Sequence, residues 1–153
     1  MNTLEDTVAR LRSLSTSNSP GWVREFDAGL AEIIALDDPD AVPLLFGLFD
    51  DKCMYDEAMF SLIHTVEHFA QSVYLSHLLA QSPTLVKQAP EWLATLYSRV
   101  FNNDKACSHL TRLLKTAPPD VRRAVLNLIN ELADQSPQIA PKLIKLRTVL
   151  TDS

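Results

Sequence analysis

The sequence predicts an all-α protein, and three observations carry that prediction. Apolar residues recur at helical spacing along most of the chain, and no run alternates with period two for long enough to form a strand. Only three glycines occur, with no Asn-Gly or Asp-Gly pair, so the turn chemistry of β-hairpins is nearly absent. Four times a capping residue is followed directly by proline, which indicates a helix start. These pairs are Ser19-Pro20, Asp38-Pro39, Ser82-Pro83 and Ser136-Pro137.

The spacing of apolar residues divides the chain into about eight to ten helices with short connections. Trp22 and Trp92 fall in register with the apolar groups, so we predict core positions for both. In chain order the groups are Leu4, Val8 and Leu11; Val23, Phe26, Leu30, Ile33 and Ile34; Val42, Leu45, Leu48 and Phe49; Tyr55, Ala58, Met59, Leu62, Val66 and Phe69; Tyr74, Leu75, Leu78 and Leu79; Trp92, Leu96, Val100 and Phe101; Leu110, Leu113 and Leu114; Val121, Ala124, Val125, Leu128 and Leu132; and Ile139, Leu143, Leu146, Val149 and Leu150.

Two segments resemble parts of HEAT-type repeats, in which antiparallel helix pairs stack on one another. Residues 38–45, Asp-Pro-Asp-Ala-Val-Pro-Leu-Leu, resemble the first helix of such a repeat, and residues 120–126, Asp-Val-Arg-Arg-Ala-Val-Leu, resemble the second. No clean period of about 40 residues recurs along the chain. We therefore expect an irregular HEAT-like stack of antiparallel helix pairs, forming a single domain over residues 1–153. A compact irregular helical bundle is the alternative.

The composition bounds the class of protein. A chain of 153 residues is long enough to bury a core without disulfides. Cys53 and Cys107 have no metal or redox spacing, so we expect two ordinary buried thiols in a reducing compartment. Residues 1–12 follow a polar amphipathic pattern, unlike a signal peptide, and the longest apolar run, residues 41–49, is too short to cross a bilayer. These features predict a cytoplasmic protein with no membrane contact.

Charge is distributed unevenly along the chain. Residues 25–67 contain 11 Asp and Glu but a single Lys, whereas the whole chain has a formal charge of −5, so the remainder is net basic. An acidic protein repels phosphates, and nucleic acid is therefore not expected as a direct ligand. A concentrated acidic surface instead favours fast, electrostatically steered association with a basic protein.

The helix predicted from residue 55 to residue 69 has two distinct faces. Its polar face is either a plain solvated surface or second packing layer, or a recognition surface continuous with Asp50, Asp51 and Asp56 at the preceding turn. At about 100° per residue, the core face contains Tyr55, Ala58, Met59, Leu62, Ile63, Val66 and Phe69, and the opposite face contains Glu57, Ser61, His64 and His68, with Phe60 and Glu67 on one flank.

The same helix contains a string that is typical of zinc enzymes. Residues 64–68, His-Thr-Val-Glu-His, match the H-x-x-E-H pattern of inverted zinc peptidases, in which two His bind the metal and the Glu is the base. A zinc site needs a third ligand, and neither His77 nor His109 has helpful spacing. The chain also lacks a Gly-rich phosphate loop and a G-x-S-x-G elbow. We predict no enzyme and no cofactor, and a small zinc-dependent hydrolase is the least favoured function.

Two blocks of the sequence resemble the bacterial immunity protein 30 family. Residues 59–67 read Met-Phe-Ser-Leu-Ile-His-Thr-Val-Glu, and residues 89–92 read Ala-Pro-Glu-Trp, followed by Tyr-Ser-Arg-Val-Phe-Asn at 97–102. The resemblance covers about residues 36–115. Members of this family are encoded beside polymorphic toxins used in bacterial competition. The resemblance implies an antitoxin that binds and blocks its own toxin without catalysis, and it does not specify the contact residues.

Charge and resemblance indicate the same function, an immunity protein that neutralises a cognate toxin by obstruction. The expected partner is a basic effector domain, of which a nuclease is one example, in a complex with one monomer of this chain. The alternative is a HEAT-like adaptor that binds a regulatory protein through the same acidic surface. The predicted contact residues are Asp37, Asp40, Asp50, Asp51, Tyr55, Asp56, Glu57, Phe60, His64 and Glu67.

Overall fold

The protein is all-α, as the sequence predicts. A computed structural model describes residues 3–17, 20–135 and 140–151, and within these ranges it has nine helices and no strand. Ser19 and the Ser136-Pro137 pair, which belong to two predicted helix starts, lie outside the described residues. HEAT-like stacking stays a prediction. The helices are α1 (Leu4–Ser17), α2 (Trp22–Leu36), α3 (Ala41–Phe46), α4 (Asp56–His68), α5 (Gln71–Gln88), α6 (Pro90–Phe101), α7 (Asp104–Leu114), α8 (Pro119–Gln135) and α9 (Ala140–Thr151).

The chain divides into two compact units, and the boundary lies inside α5. Unit 1 comprises residues 1–74 and unit 2 comprises residues 75–153. Each unit has its own set of buried apolar side chains. Trp22 in unit 1 and Trp92 in unit 2 are both buried, which confirms their predicted core positions. The single domain expected from the sequence stays a prediction.

In unit 1, α1 and α2 approach each other closely at a glycine. A Cβ atom added to Gly29 would lie 2.5 Å from Cδ2 and 3.2 Å from Cγ of Leu11, which is fully buried. The absence of a side chain at Gly29 therefore sets how near the two helices pack. On the surface, Arg10 and Glu32 form an ion pair at 2.6 Å between the same two helices.

Helix α4 buries the face that its sequence pattern predicts. Six of the seven predicted core residues are buried: Ala58, Met59, Leu62, Ile63, Val66 and Phe69. Tyr55 is the exception, because it is the residue before the helix and 42% of its surface is exposed. Its assignment to the core face is therefore wrong. The remaining buried side chains of unit 1 include Phe26, Ile33, Leu45, Phe46 and Phe49.

In the connection between α2 and α3, Asp38 stabilises a turn before the helix and is not the N-cap that the sequence predicts. The Asp38 carboxylate accepts a hydrogen bond from the backbone N–H of Asp40 at 3.0 Å, and α3 begins at Ala41, with Asp40 as its N-cap. The Asp38-Pro39 pair thus forms a turn that leads into the helix, and the helix starts two residues later than the pair predicts.

The Ser82-Pro83 pair does not start a helix, contrary to the prediction. Helix α5 runs without interruption from Gln71 to Gln88 with Pro83 inside it. Ser82 is buried inside this continuous helix and is therefore not a cap, and its hydroxyl donates to the Leu78 carbonyl at 2.7 Å. It also lies 2.6 Å from the Tyr97 hydroxyl of α6. Burial of this polar pair in unit 2 accounts for a serine where the sequence suggests a cap.

In unit 2, two basic side chains bind the carbonyl ends of helices. Arg122 of α8 donates to Leu114 at 2.9 Å, near the end of α7, and to Val149 at 3.1 Å in the last turn of α9. Lys142 of α9 donates to the Phe101 carbonyl at 2.9 Å, at the end of α6. Cations at these positions satisfy carbonyls that have no partner within their own helix and favour the negative end of the helix dipole.

Candidate partner-binding surface

The uneven charge of the sequence follows the division into two units. Residues 1–74 contain 13 Asp and Glu against four Lys and Arg, a formal charge of −9. Residues 75–153 contain six acidic and ten basic residues, a formal charge of +4. All ten predicted contact residues lie in the acidic unit 1.

The turn between α3 and α4 positions two of the acidic contacts, Asp50 and Asp51. The Asp50 carboxylate accepts a hydrogen bond from the backbone N–H of Lys52 at 2.9 Å, and the Asp50 carbonyl accepts one from Cys53 at 3.1 Å. Asp50 and Asp51 are half-buried. Aspartate is favoured here because its short side chain bonds to the backbone two residues later and so stabilises the turn.

The first turn of α4 carries the next two acidic contacts. Asp56 and Glu57 are exposed on the surface. The carbonyl of the N-cap residue, Tyr55, accepts from Ala58 at 3.1 Å, and no side chain caps the helix start. Carboxylates at a helix N-terminus are stabilised by the free N–H groups and the helix dipole, so both residues have a structural role besides any contact with a partner.

Cys53 lies between these carboxylates in the sequence, and three of them affect its thiol. Burial raises the pKa of the Cys53 thiol, and the carboxylates of Asp50, Asp56 and Glu57 raise it further, while a hydrogen bond with the Tyr55 backbone opposes the shift. Charges act on a thiol in this way only at short range. Three predicted contacts, from the turn and from α4, therefore act on one side chain.

Both cysteines are half-buried, and the expectation of two buried thiols is wrong. Cys53 lies in the turn between α3 and α4 and not on the apolar face of a helix. On α7, the buried residues are Ala106, Leu110 and Leu114, and Cys107 lies beside that stripe.

An aromatic contact holds the residue at the start of α4. The Tyr55 ring meets the Trp22 ring edge-on, with centroids 5.7 Å apart, and Trp22 meets Phe26 in the same way at 5.7 Å. Trp22 is 4% exposed and Phe26 is fully buried. Tyr55 is thus anchored to the core through Trp22 while part of its ring remains accessible.

The outer face of α4 carries the remaining predicted contacts. Phe60 is 40% exposed, and His64 is exposed as well. Glu67 is half-buried, with its carboxylate 3.9 Å from Nδ1 of His64. Within the described ranges no group of three or more His, Cys, Asp or Glu side chains is arranged to hold a metal ion.

Two predicted contacts belong to a different segment, the connection between α2 and α3. Asp37 is exposed and has a left-handed backbone, with φ of 51°, at the end of α2. Its N–H bonds to the carbonyls of Ile33 and Ile34, so it terminates the helix. Asp40, also exposed, is the N-cap of α3. Both residues therefore have a structural role at the end of a helix, independent of any contact with a partner.

The contact prediction omits the most exposed large apolar side chain of the described residues, Met54, which is 75% exposed. The sequence contains one usable signal, because Met54 lies outside the apolar stripe of α4. An apolar residue beside two aspartates and a tyrosine at a turn is unusual for a solvated loop.

Among residues 3–17, 20–135 and 140–151, none of the helices combines the length and the apolar character needed to span a bilayer.

Comparison with known protein families gives a match over most of the chain. The sequence profile of the family described as immunity protein 30 matches residues 11–110, which is about two thirds of the chain. The match begins inside α1 and ends in α7, so it extends further toward the N-terminus than the range of about 36–115 expected from the two blocks. Neither the curated proteins nor the solved structures contain a match to this chain.

Proposed function

Since the chain belongs to the immunity protein 30 family, we propose that it binds a cognate bacterial toxin domain and neutralises it. The family match over residues 11–110 is the observation that carries this proposal. It covers α2, α3 and α4 entirely, and with them every predicted contact residue.

The charge of unit 1 supports a basic toxin domain as the partner. A formal charge of −9 on 74 residues attracts a cationic protein and accelerates its association. Toxins that act on nucleic acid present cationic sites to the phosphate backbone, so a nuclease is the toxin class that this surface fits best. The chain acts by obstruction in a complex of one copy with one toxin domain, and it needs no cofactor.

The acidic residues around Cys53 are the proposed centre of the binding surface. Asp50, Asp56 and Glu57 each act on Cys53, and neighbouring Asp51 belongs to the same turn as Asp50. Phe60, His64 and Glu67 continue the surface along α4. Asp37 and Asp40, which have local roles at helix ends, are its outer members.

A growth experiment tests the proposal. The toxin domain encoded beside this chain is expressed in the bacterial cytoplasm, the proposed place of action, with and without the chain. We expect the toxin alone to stop growth and co-expression to restore it, and the two purified proteins to elute together in a one-to-one complex. Continued growth arrest despite full expression of a folded chain would contradict the proposal, as would a chromosome with no toxin gene beside this one.

A further inference from the structure

Exposed apolar side chains are concentrated in one short segment of unit 1. Among the described residues, five large apolar side chains are exposed: Leu36, Met54, Tyr55, Phe60 and Ile144. Three of these five lie within the seven residues 54–60. Single exposed apolar residues are ordinary on protein surfaces, but a local concentration of them is typical of a contact site.

The two residues that flank Met54 both make contacts with other parts of unit 1 or with each other. On one side, Cys53 donates from its N–H to Asp50 and from its thiol to the Tyr55 carbonyl. On the other side, Tyr55 is anchored by its edge contact with the buried Trp22. Met54 therefore extends from a segment with contacts on both sides, which limit the backbone conformational entropy lost when a partner covers it.

Carboxylates flank this exposed methionine in the sequence, with Asp50, Asp51, Asp56 and Glu57 all within four residues of it. Asp50, Asp56 and Glu57 lie close enough to Cys53, the residue before Met54, to raise the pKa of its thiol. The complementary surface is an apolar pocket bordered by Lys and Arg. A second copy of unit 1 would bring like charges together, and an anionic lipid surface would be repelled, so both are poor occupants.

We propose that Met54 and Tyr55 are the apolar anchors of the toxin complex and enter a pocket in a cationic surface of the toxin domain. The surrounding carboxylates steer association, and the anchors keep the complex together after it forms. Buried apolar and aromatic anchors within a polar rim carry most of the affinity in many protein interfaces, and the flexible methionine adapts to the shape of such a pocket. This inference rests on the proposed function and adds the chemistry of the partner's site.

Binding kinetics distinguish the steering role of the carboxylates from the anchoring role of the apolar side chains. The immobilised toxin domain is exposed to the wild-type chain, Met54→Ser, Met54→Leu and the control Ile144→Ser, which removes a 59% exposed apolar side chain from unit 2. We expect Met54→Ser to raise the dissociation rate about tenfold or more, with an unchanged association rate and an unchanged salt dependence. Met54→Leu and Ile144→Ser should behave like the wild type.

The outcomes separate the inference from the proposed function. A wild-type chain that does not bind the toxin domain would overturn both. A wild-type chain that binds while Met54→Ser dissociates at the wild-type rate would overturn the inference alone. Circular dichroism checks folding, and the exposure of Met54 makes loss of the fold by Met54→Ser an unexpected result.

Discussion

The hydroxyl oxygens of Ser82 and Tyr97 lie 2.6 Å apart inside unit 2 and join α5 to α6. Ser82 has a single hydroxyl hydrogen, which it donates to the Leu78 carbonyl at 2.7 Å. The Tyr97 hydroxyl must therefore donate to Ser82. Because Tyr97 donates this hydrogen, its phenol must be neutral for the buried hydrogen bond to form.

Removing either hydroxyl should destabilise the protein, but to different degrees. Tyr97→Phe leaves Ser82 bonded to Leu78 and should lower the free energy of unfolding by about 1 kcal/mol. Ser82→Ala removes the acceptor and leaves the buried Tyr97 hydroxyl without this partner, so its cost should be larger, about 2 kcal/mol. Urea unfolding at neutral pH measures both. A smaller loss for Ser82→Ala than for Tyr97→Phe would contradict the assigned donor order.

Stability should also fall in alkali because of Tyr97. Complete burial raises the pKa of Tyr97 well above its ordinary value of 10.0. Since the folded-state pKa exceeds the unfolded-state pKa, the contribution of the neutral ring is fully present below pH 10 and is lost as the pH rises toward the folded-state pKa. Urea unfolding at several alkaline pH values should therefore show a steeper loss for the wild type than for Tyr97→Phe. Parallel curves would exclude Tyr97 as the cause.

Gly29 should not tolerate even one methyl group. A Cβ atom there would overlap Leu11, which is fully buried and cannot move into solvent, so Gly29→Ala should cost about 1–3 kcal/mol. Gly47→Ala is the control, since the nearest atoms to its Cβ lie at 3.4 Å. Thermal unfolding should give a lower Tm for Gly29→Ala only. Equal Tm values for the two variants would mean that α1 and α2 separate without cost.

Among the cations of unit 2, Arg122 should contribute most to the stability of the folded protein. Arg122→Met keeps most of the apolar stem but removes charged hydrogen bonds to carbonyls of α7 and α9, and we expect a loss of about 2 kcal/mol. Arg123→Met, which changes the exposed neighbouring residue, is the matched control and should be nearly neutral. Chemical unfolding compares the two, and similar stability of both variants would argue against this capping role.

The acidic surface should control how fast the toxin binds. Asp51→Lys combined with Glu57→Lys should slow association about tenfold or more and weaken its dependence on salt, because both result from long-range attraction. The control is Glu131→Lys with Asp134→Lys, which makes the same change of charge on exposed residues of unit 2. Stopped-flow binding at low and high salt measures the rates. An unchanged association rate in a folded double variant would remove Asp51 and Glu57 from the surface.

Part of the candidate surface could be read directly from the sequence. The helical period around Met59 and Leu62 predicts which face of α4 is buried, and the polar residues between them follow from that register. Met54 could not be found in this way, because periodicity describes helices and Met54 lies in a turn. Its exposure depends on where Trp22, distant in sequence, holds Tyr55.

The sequence by itself determined the helical class, the positions of most helices, the acidic character of residues 25–67 and the resemblance to immunity proteins. These properties depend on local spacing and composition, which any stretch of chain carries with it. Only the tertiary structure decided that Ser82 is a buried hydrogen-bonding partner instead of a helix cap, that Gly29 sets the approach of α1 to α2, and that Trp22 contacts Tyr55. The physical reason is that packing brings together residues far apart in sequence, and burial then changes which interactions each side chain makes.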